Sequence, residues 1–551
     1  MKRLWKKIVA LVLTSSIVVG LSACAGTKES SSSKASQAAD GTTYKVITTY
    51  TSPEDGTLDA AGNVGYWWWY YNAYATAPLV ELAEDGSYKY IAAESVDIND
   101  DMTEFTFHIR ENANWNNGDA LTSQDFYNTI TRALDPSCGN GYSSMLFSIM
   151  GASDIYNNGA DMNKLGVECV DEKTIKFTLV STTPYFMDML ALPVYTPTHR
   201  TLQTETNGSW AMGEDLEALV SCGPFYMAEY VPSQYFVFKR NADYVLADEI
   251  KLDEIKHMVM DDTQAIINAY KTGELDVASA DYTVLEEYEG KDDLYITDTI
   301  VSNYELFDIT EPPFDDIRVR EAFAISVDRD AVATACGANY IGSTFFVAPK
   351  LVSKASGKTW AEEAGGELLA YDPERAKELL AEAGYPDGDG FPTVTYKYPS
   401  QQLESDIAQA LQAQWKEKLG IEIQLEAQEY QVNVADRRAG DFELCRMQWT
   451  ADFADPFSYL AMYMSTDTYN DNGTSCEKYD ELMNQSMLET DTQKRFELMH
   501  EAERVLVSEY FWGVPVLARE SINLVNPKIT NRVIDPSRGL TRYKYADLVT
   551  E

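Results

Sequence analysis

Between Gln448 and Pro456 the chain reads Gln-Trp-Thr-Ala-Asp-Phe-Ala-Asp-Pro, two carboxylates three residues apart among aromatic and small residues. A carboxylate in an apolar loop with no cation beside it in sequence is suited to pair with the positive charge of a bound ligand. That is the chemistry expected of Asp452; the plainer expectation is a solvated loop carboxylate. Asp455 has a structural task at hand, because Asp followed by Pro starts helices. Catalytic patterns are missing from the sequence. The four histidines (His108, His199, His257, His500) are scattered, and no nucleophile elbow, zinc-protease or phosphate-loop motif occurs. No enzyme activity, metal or cofactor is expected.

The elements that must hold this turn are a strand-like run, Phe442 to Trp449, and a helix-like run, Phe457 to Met464. A strand-to-helix turn is a common meeting point of ligand and fold. Upstream, period-two alternation predicts strands over Tyr44–Tyr50 and Phe105–Arg110, and a hairpin over Gly166–Leu179. Further strands are predicted at Cys222–Tyr226, Phe236–Asn241, Glu274–Asp276, Thr393–Tyr398 and Ile421–Tyr430. Cap residues, periodicity and terminal glycines predict helices from Ser123, and over Gln264–Thr272, Asp372–Gly384 and Leu403–Leu419. Two more follow at Tyr479–Leu488 and Gln493–Val507. Arg318 and Arg320 fall in the first turn of a helix, where cations oppose the dipole, so acidic partners such as Asp328 or Asp330 are expected. The loop Pro386–Pro392 lacks the glutamate a calcium loop needs, because Tyr398 stands there.

The chain has 551 residues, 45% of them hydrophobic, which suits two or three globular domains. Its 44 basic residues against 87 acidic ones give a net charge of −43 and exclude a nucleic-acid partner. Thirty-five Tyr, ten Trp and twenty Phe exceed what a core alone calls for, and such a surplus suits a binding surface. In Tyr66–Tyr71 three consecutive tryptophans cannot all enter one core. Six cysteines follow residue 100 at wide spacing, without Cys-x-x-Cys, and sequence leaves their pairing open.

Lys2, Arg3, Lys6 and Lys7 precede an apolar run, Ile8 to Val19, that is too short to span a bilayer as a mature helix. Leu21-Ser-Ala-Cys24 after it resembles a bacterial lipobox. The resemblance implies a signal peptide over 1–23, lipidation at Cys24 with acyl chains such as palmitate, and a flexible Ser/Ala-rich tether to residue 43.

Five further stretches share one resemblance. The central turn, with Arg446 six residues before Asp452, looks like that of the oligopeptide-binding proteins of ABC importers, family-5 extracellular solute-binding proteins. Ala93-Glu-Ser95, Thr106-Phe-His-Ile-Arg110 and Trp115-x-x-Gly118-x-x-x-Thr122-x-x-Asp125-Phe126 resemble a spread-out family signature. Gly273-Glu-Leu-Asp276, Pro313-Phe-Asp-Asp-Ile-Arg-Val-Arg320 and Gly384-Tyr-Pro-Asp-Gly388 resemble others. The resemblance implies an α/β, two-lobed periplasmic-binding-protein-like clamp (type II) with an extra subdomain in the first lobe. The implied division is lobe I at 44–90, the extra subdomain at 91–182, lobe I again at 183–305, lobe II at 306–514, and a return to lobe I at 515–551. The hinge would be crossed near Glu305 and Pro515.

The implied ligand is an oligopeptide, delivered to membrane permease subunits with cytoplasmic ATPases. The protein would be a monomer tethered by lipid to the outer face of the bacterial cytoplasmic membrane, in the periplasm where an outer membrane exists. Such a binder hydrogen-bonds the peptide main chain and fixes its ends by charge. Asp452 is expected to hold the α-amine. Arg446, and next Arg437 or Arg438, are expected to fork on the carboxylate. Trp449, Thr450 and Ala451 belong to the same ligand-facing turn, and Trp67 and Trp69 are candidates from the aromatic cluster. One departure bears on the carboxylate end: Glu404 stands where a peptide-binding relative has a cation. Nickel, haem or an oligosaccharide as ligand, or a peptide-pheromone receptor, are the alternatives on the same fold.

Overall fold

The structure is a computed structural model that describes residues 45–549, apart from 52–56, 63–65, 84–86, 203–211, 214, 338–339, 468–469, 474 and 536–539. Cys24, the segment 1–23 and the tether therefore lie outside the described residues.

The strands run in chain order. β1 (Val46–Thr51) precedes the helix Tyr66–Ala75 and the short hairpin β2 (Val80–Leu82) and β3 (Tyr88–Tyr90). β4 (Ala93–Ile98), β5 (Glu104–Ile109), β6 (Val167–Asp171) and β7 (Thr174–Thr178) form one antiparallel sheet in the order β4-β5-β7-β6. β8 (Phe225–Val231), β9 (Tyr235–Arg240) and β10 (Glu254–Val259) join β1 in a second sheet, ordered β1-β10-β9-β8. The largest sheet has seven strands: β11 (Val277–Ala280), β12 (Leu294–Phe307), β13 (Tyr340–Gly342), β14 (Val394–Pro399), β15 (Ile423–Gln428), β16 (Leu444–Thr450) and β17 (Gly513–Val525). Its order is β11-β17-β12-β16-β14-β15, with β13 on β17.

The chain folds into two α/β lobes. One large apolar core runs from Ile47 through Phe105, Trp115 and Phe186 to Leu548, and a second from Tyr304 through Trp360, Trp415 and Tyr479 to Trp512. β12 and β17 are long strands paired antiparallel, with Glu305 opposite Val514 and Tyr304 opposite Pro515; these ends lie in the second core, and Ile522 and Leu524 of β17 lie in a third, smaller one with Ile266 and Val284. The register slips between Asn303 and Tyr304, at the position where Pro515 has no amide to donate. Gly513 belongs there for a steric reason: a Cβ on it would sit 2.4 Å from the Glu305 carbonyl oxygen.

The predicted elements are observed with ends shifted by a few residues. Thr122 caps the helix Ser123–Ala133 in a capping box with Asp125, whose carboxylate accepts the Thr122 amide at 2.9 Å. Asp372 caps Pro373–Glu382, and Gly420 ends Gln402–Leu419. The strand expected over Glu274–Asp276 begins three residues later, at Val277, just past the expected span. A helix at Tyr430–Ala439 was not expected; Glu429 caps it by accepting the Gln431 and Val432 amides, and Gly440 closes it. Val432 and Val434, β-branched residues of low helix propensity, obscured it.

The partners expected for Arg318 and Arg320 are corrected. Arg318 pairs with Asp316, its own cap residue. Arg320 donates to the carbonyls of Phe314, Asp315 and Tyr510, an arrangement that needs no acid. Asp328 instead caps the next helix, Arg329–Cys336. None of the six described cysteines forms a disulfide, and four of them are buried.

Glu503 shows what burial does to an acid in this core. Its side chain is fully buried and accepts from the Val347 amide at 2.8 Å and from Trp360 Nε1 at 2.5 Å. Burial outweighs both bonds and pushes its carboxyl up to about 7. A folded-state value above the unfolded one means that the native protein holds the proton longer. Stability therefore falls as pH rises from the ordinary carboxylate range through about 7. Glu503→Gln is expected to flatten that fall between about pH 5 and about pH 8, by on the order of 2 kcal/mol, in urea titrations at stepped pH. An unchanged slope would contradict this placement.

Candidate functional site: an interlobe turn

β16 runs beside β12 and ends at Thr450, and the chain then turns through Ala451–Pro456 into the short helix Phe457–Leu460. The turn is closed by its own bonds. Trp449 Nε1 donates to the Ser458 carbonyl at 2.8 Å, the Asp452 amide to Ser458 Oγ at 3.0 Å, and the Phe457 amide to Asp455 Oδ1 at 2.9 Å. It also straddles the two cores: Phe453 is buried in the first, Ala451 and Ala454 in the second.

Asp452 is half-buried, and its Oδ1 accepts from the Tyr142 hydroxyl at 2.8 Å. Tyr142 lies 310 residues earlier, and Trp69 meets its ring edge-on at 5.9 Å. Trp69 also lines a cavity with Asn72, Thr196, Glu81 and Lys544, the last two forming a buried ion pair. Trp67 belongs to the same helix; its side chain lies outside the description. Thr450 is half-buried beside the turn.

Asp455 does more than start a helix. Arg495 forks on it at 2.7 and 2.8 Å, with both side chains nearly fully buried. Burial pushes the Asp455 carboxyl up, but the Arg495 charge and hydrogen bonds more than offset this and hold it below the usual range. The same guanidinium lies 5.2 Å from the ring centre of Tyr185, which stacks on Phe453 at 5.5 Å and Phe457 at 4.6 Å. Beside this stack Lys354 pairs with Asp188, which also accepts the Tyr88 hydroxyl at 2.9 Å. Burial raises the Asp188 carboxyl despite the lysine.

Arg446 is placed differently from the free fork expected of it. Its side chain is 1% exposed. Nε donates to Glu404 at 2.5 Å, Nη2 to Asn303 Oδ1 at 2.7 Å, and Nη1 to the carbonyls of Met447 and Tyr304 at 2.8 and 3.2 Å. Glu305, opposite it on β12, comes within 3.5 Å of Nη1 and accepts the Tyr396 hydroxyl at 2.5 Å. Burial lifts the Glu305 carboxyl to about 7, against the opposing pull of Arg446. Arg437 is likewise buried and paired with Asp471, and Arg438 is exposed. The structure thus places Trp449, Thr450, Ala451 and Asp452 on one turn, links Trp69 to it only through Tyr142, and gives Arg446 and Arg437 internal carboxylate partners.

Sequence reading missed Tyr142, Tyr185, Arg495 and the Lys354–Asp188 pair. The aromatic surplus was the signal for the tyrosines; the ions had none. Among the described residues no three or more His, Cys, Asp or Glu converge as a metal site.

Two α/β lobes and a charged aromatic turn held by both cores describe a clamp for a solute. The chain belongs to the bacterial extracellular solute-binding proteins, family 5, whose family model matches residues 87–471. It is 29% identical over 472 residues to the dipeptide-binding protein of Bacillus subtilis, covering 85% of this chain and 86% of that one. It is also 29% identical over 460 residues to a probable deoxycholate-binding periplasmic protein of Escherichia coli, covering 82% and 84%. Among solved structures it is similar to a periplasmic oligopeptide-binding protein of Borrelia burgdorferi. That likeness has a TM-score of 0.74 and 27% identity, over 92% of this chain and all of that one.

Proposed function

We propose that this protein captures oligopeptides outside the cell and delivers them to the permease of an ABC importer, without chemically altering them. The observation that carries the reading is Asp452 on a turn held by both lobes, where the amine of a peptide would meet a carboxylate as the lobes close. The names of the Bacillus and Borrelia relatives support it. In this reading the chain crosses between lobes near Glu305 and Pro515, Trp449, Thr450 and Trp69 border the ligand, and Cys24 carries the lipid anchor. The domain divisions expected from the sequence, and a monomeric state, are part of the same proposal.

A second reading comes from the Escherichia coli relative. A bile acid carries a carboxylate and no amine, so Asp452 would repel its charged end. Calorimetric titration with a tryptic peptide pool and with deoxycholate separates the two. The proposal expects saturable binding of peptides with no new cleavage products by mass. Binding of deoxycholate alone would favour the second reading, and cleavage of the peptides would overturn a binding-only role.

A further inference from the structure

Asp188 is an acid set in an apolar stretch of the first core. It lies on the helix Phe186–Met189, whose other residues are buried in that core, and its side chain is 2% exposed. Its cation comes from the second core. Lys354 stands 166 residues away, close in sequence to Leu351 and Ala355, which pack in that core, and it donates to Asp188 Oδ1. The same oxygen accepts the Tyr88 hydroxyl at 2.9 Å, and Lys354 Nζ lies 3.4 Å from that hydroxyl.

The backbone holds both partners of Asp188 in place. Lys354 rides on a tight loop closed by the bridge between Val352 and Thr359. Inside it the Ser353 amide donates to the Lys358 carbonyl at 2.7 Å, and the Gly357 amide to the Ser353 carbonyl at 2.8 Å. Tyr88 rides on β3, opposite Leu82 of β2. Val80 of that hairpin is buried in the first core and Leu82 in the second, and Tyr88 packs against both.

A contact of this kind bears on how the lobes part. With the lobes apart, Asp188 and Lys354 would each meet water; brought together, they leave it as a pair. Burial lifts the Asp188 carboxyl and Lys354 pulls it back, so the cation offsets part of what closure costs the acid. Closure without the cation would bury a bare carboxylate, with the Asp455 charge acting against it from the turn.

We propose that Lys354, Asp188 and Tyr88 form an ionic latch between the lobes, which fastens them in the arrangement where Tyr142 meets Asp452. The latch is made of the chain's own groups, so it acts alike on every ligand the clamp takes. It stands on the two-lobed clamp and does not require that the ligand be a peptide.

The test is a small-angle scattering titration with a tryptic peptide pool, with calorimetry on the same mixtures. It compares the wild type, Lys354→Met, Lys354→Arg, Asp188→Asn and the double variant Lys354→Met/Asp188→Asn. The wild type is expected to be compact, either alone or once peptide is added. Lys354→Met is expected to need about tenfold more peptide or beyond for half of that compaction, or to stay expanded. Lys354→Arg keeps the cation and should stay within about threefold of the wild type. The double variant should recover most of the loss, because closure then buries no bare charge. Asp188→Asn carries the test if Lys354→Met folds poorly: a loss of about threefold or more is expected, and no loss would overturn the latch. A wild type that stays expanded throughout, a Lys354→Met variant that matches the wild type, or a double variant no better than Lys354→Met would also overturn it. Heat of binding without compaction would overturn the latch and leave the peptide reading intact. A compact wild type that Lys354→Met expands, with no heat from peptide in any of the proteins, would support the latch and overturn the peptide reading.

Discussion

Asp452→Asn is expected to weaken binding of free-amine peptides by about two orders of magnitude and that of the same peptides N-acetylated by less than about threefold. The substitution keeps an oxygen that can accept the Tyr142 hydroxyl, so the contact between the lobes survives. What it removes is the charge opposite the ammonium. Losing one partner of an ion pair enclosed by lobe closure costs about 3–5 kcal/mol, and about 3 kcal/mol is a hundredfold in affinity. The acetylated control carries no ammonium and has nothing to lose. Equal losses for both ligands would remove Asp452 from the amine site and leave it a structural residue of the turn.

Arg495→Leu should have the largest effect on stability. It would leave the Asp455 carboxylate nearly fully buried without its fork and take the cation from the Tyr185 ring. An abandoned buried charge costs about 3–5 kcal/mol. Asp455→Asn should cost a comparable amount from the other side, and the double variant much less than the sum, because neither charge is then left alone. Urea unfolding followed by tryptophan fluorescence reads all three. The pH dependence has a definite sign. The Asp455 value is held down in the folded state, so the stability it confers is present above the ordinary aspartate range and is lost as acid protonates the folded carboxylate. Arg495→Leu should blunt that acid loss. Additive single and double effects would mean that the fork contributes nothing beyond packing.

The parts of this site that were legible in sequence are local. Strand β16, the turn and its Asp-Pro step lie within a dozen residues, and alternation and cap chemistry report on such spans. The ion pairs and the Tyr142 hydrogen bond were not legible because their members are far apart: Glu404 is 42 residues from Arg446, Asp455 is 40 from Arg495, and Tyr142 is 310 from Asp452. Arg446 illustrates the difference. Its place on the strand before the turn could be read from spacing, whereas its charge balance depends on a helix and on β12, which only the folded sheet brings beside it. Glu404 was visible as a departure; that it is the partner of Arg446 required the structure. The fold itself was legible through spread-out signatures, such as Thr122 and Asp125, whose capping box is satisfied within four residues.

The most direct measurement of the central claim is mass spectrometry of the small molecules released on denaturing the purified protein. Capture of peptides at the interlobe turn predicts a series of peptides of mixed sequence with free amino termini. Release of a bile acid, sugar, haem or metal, with no peptide, would contradict it.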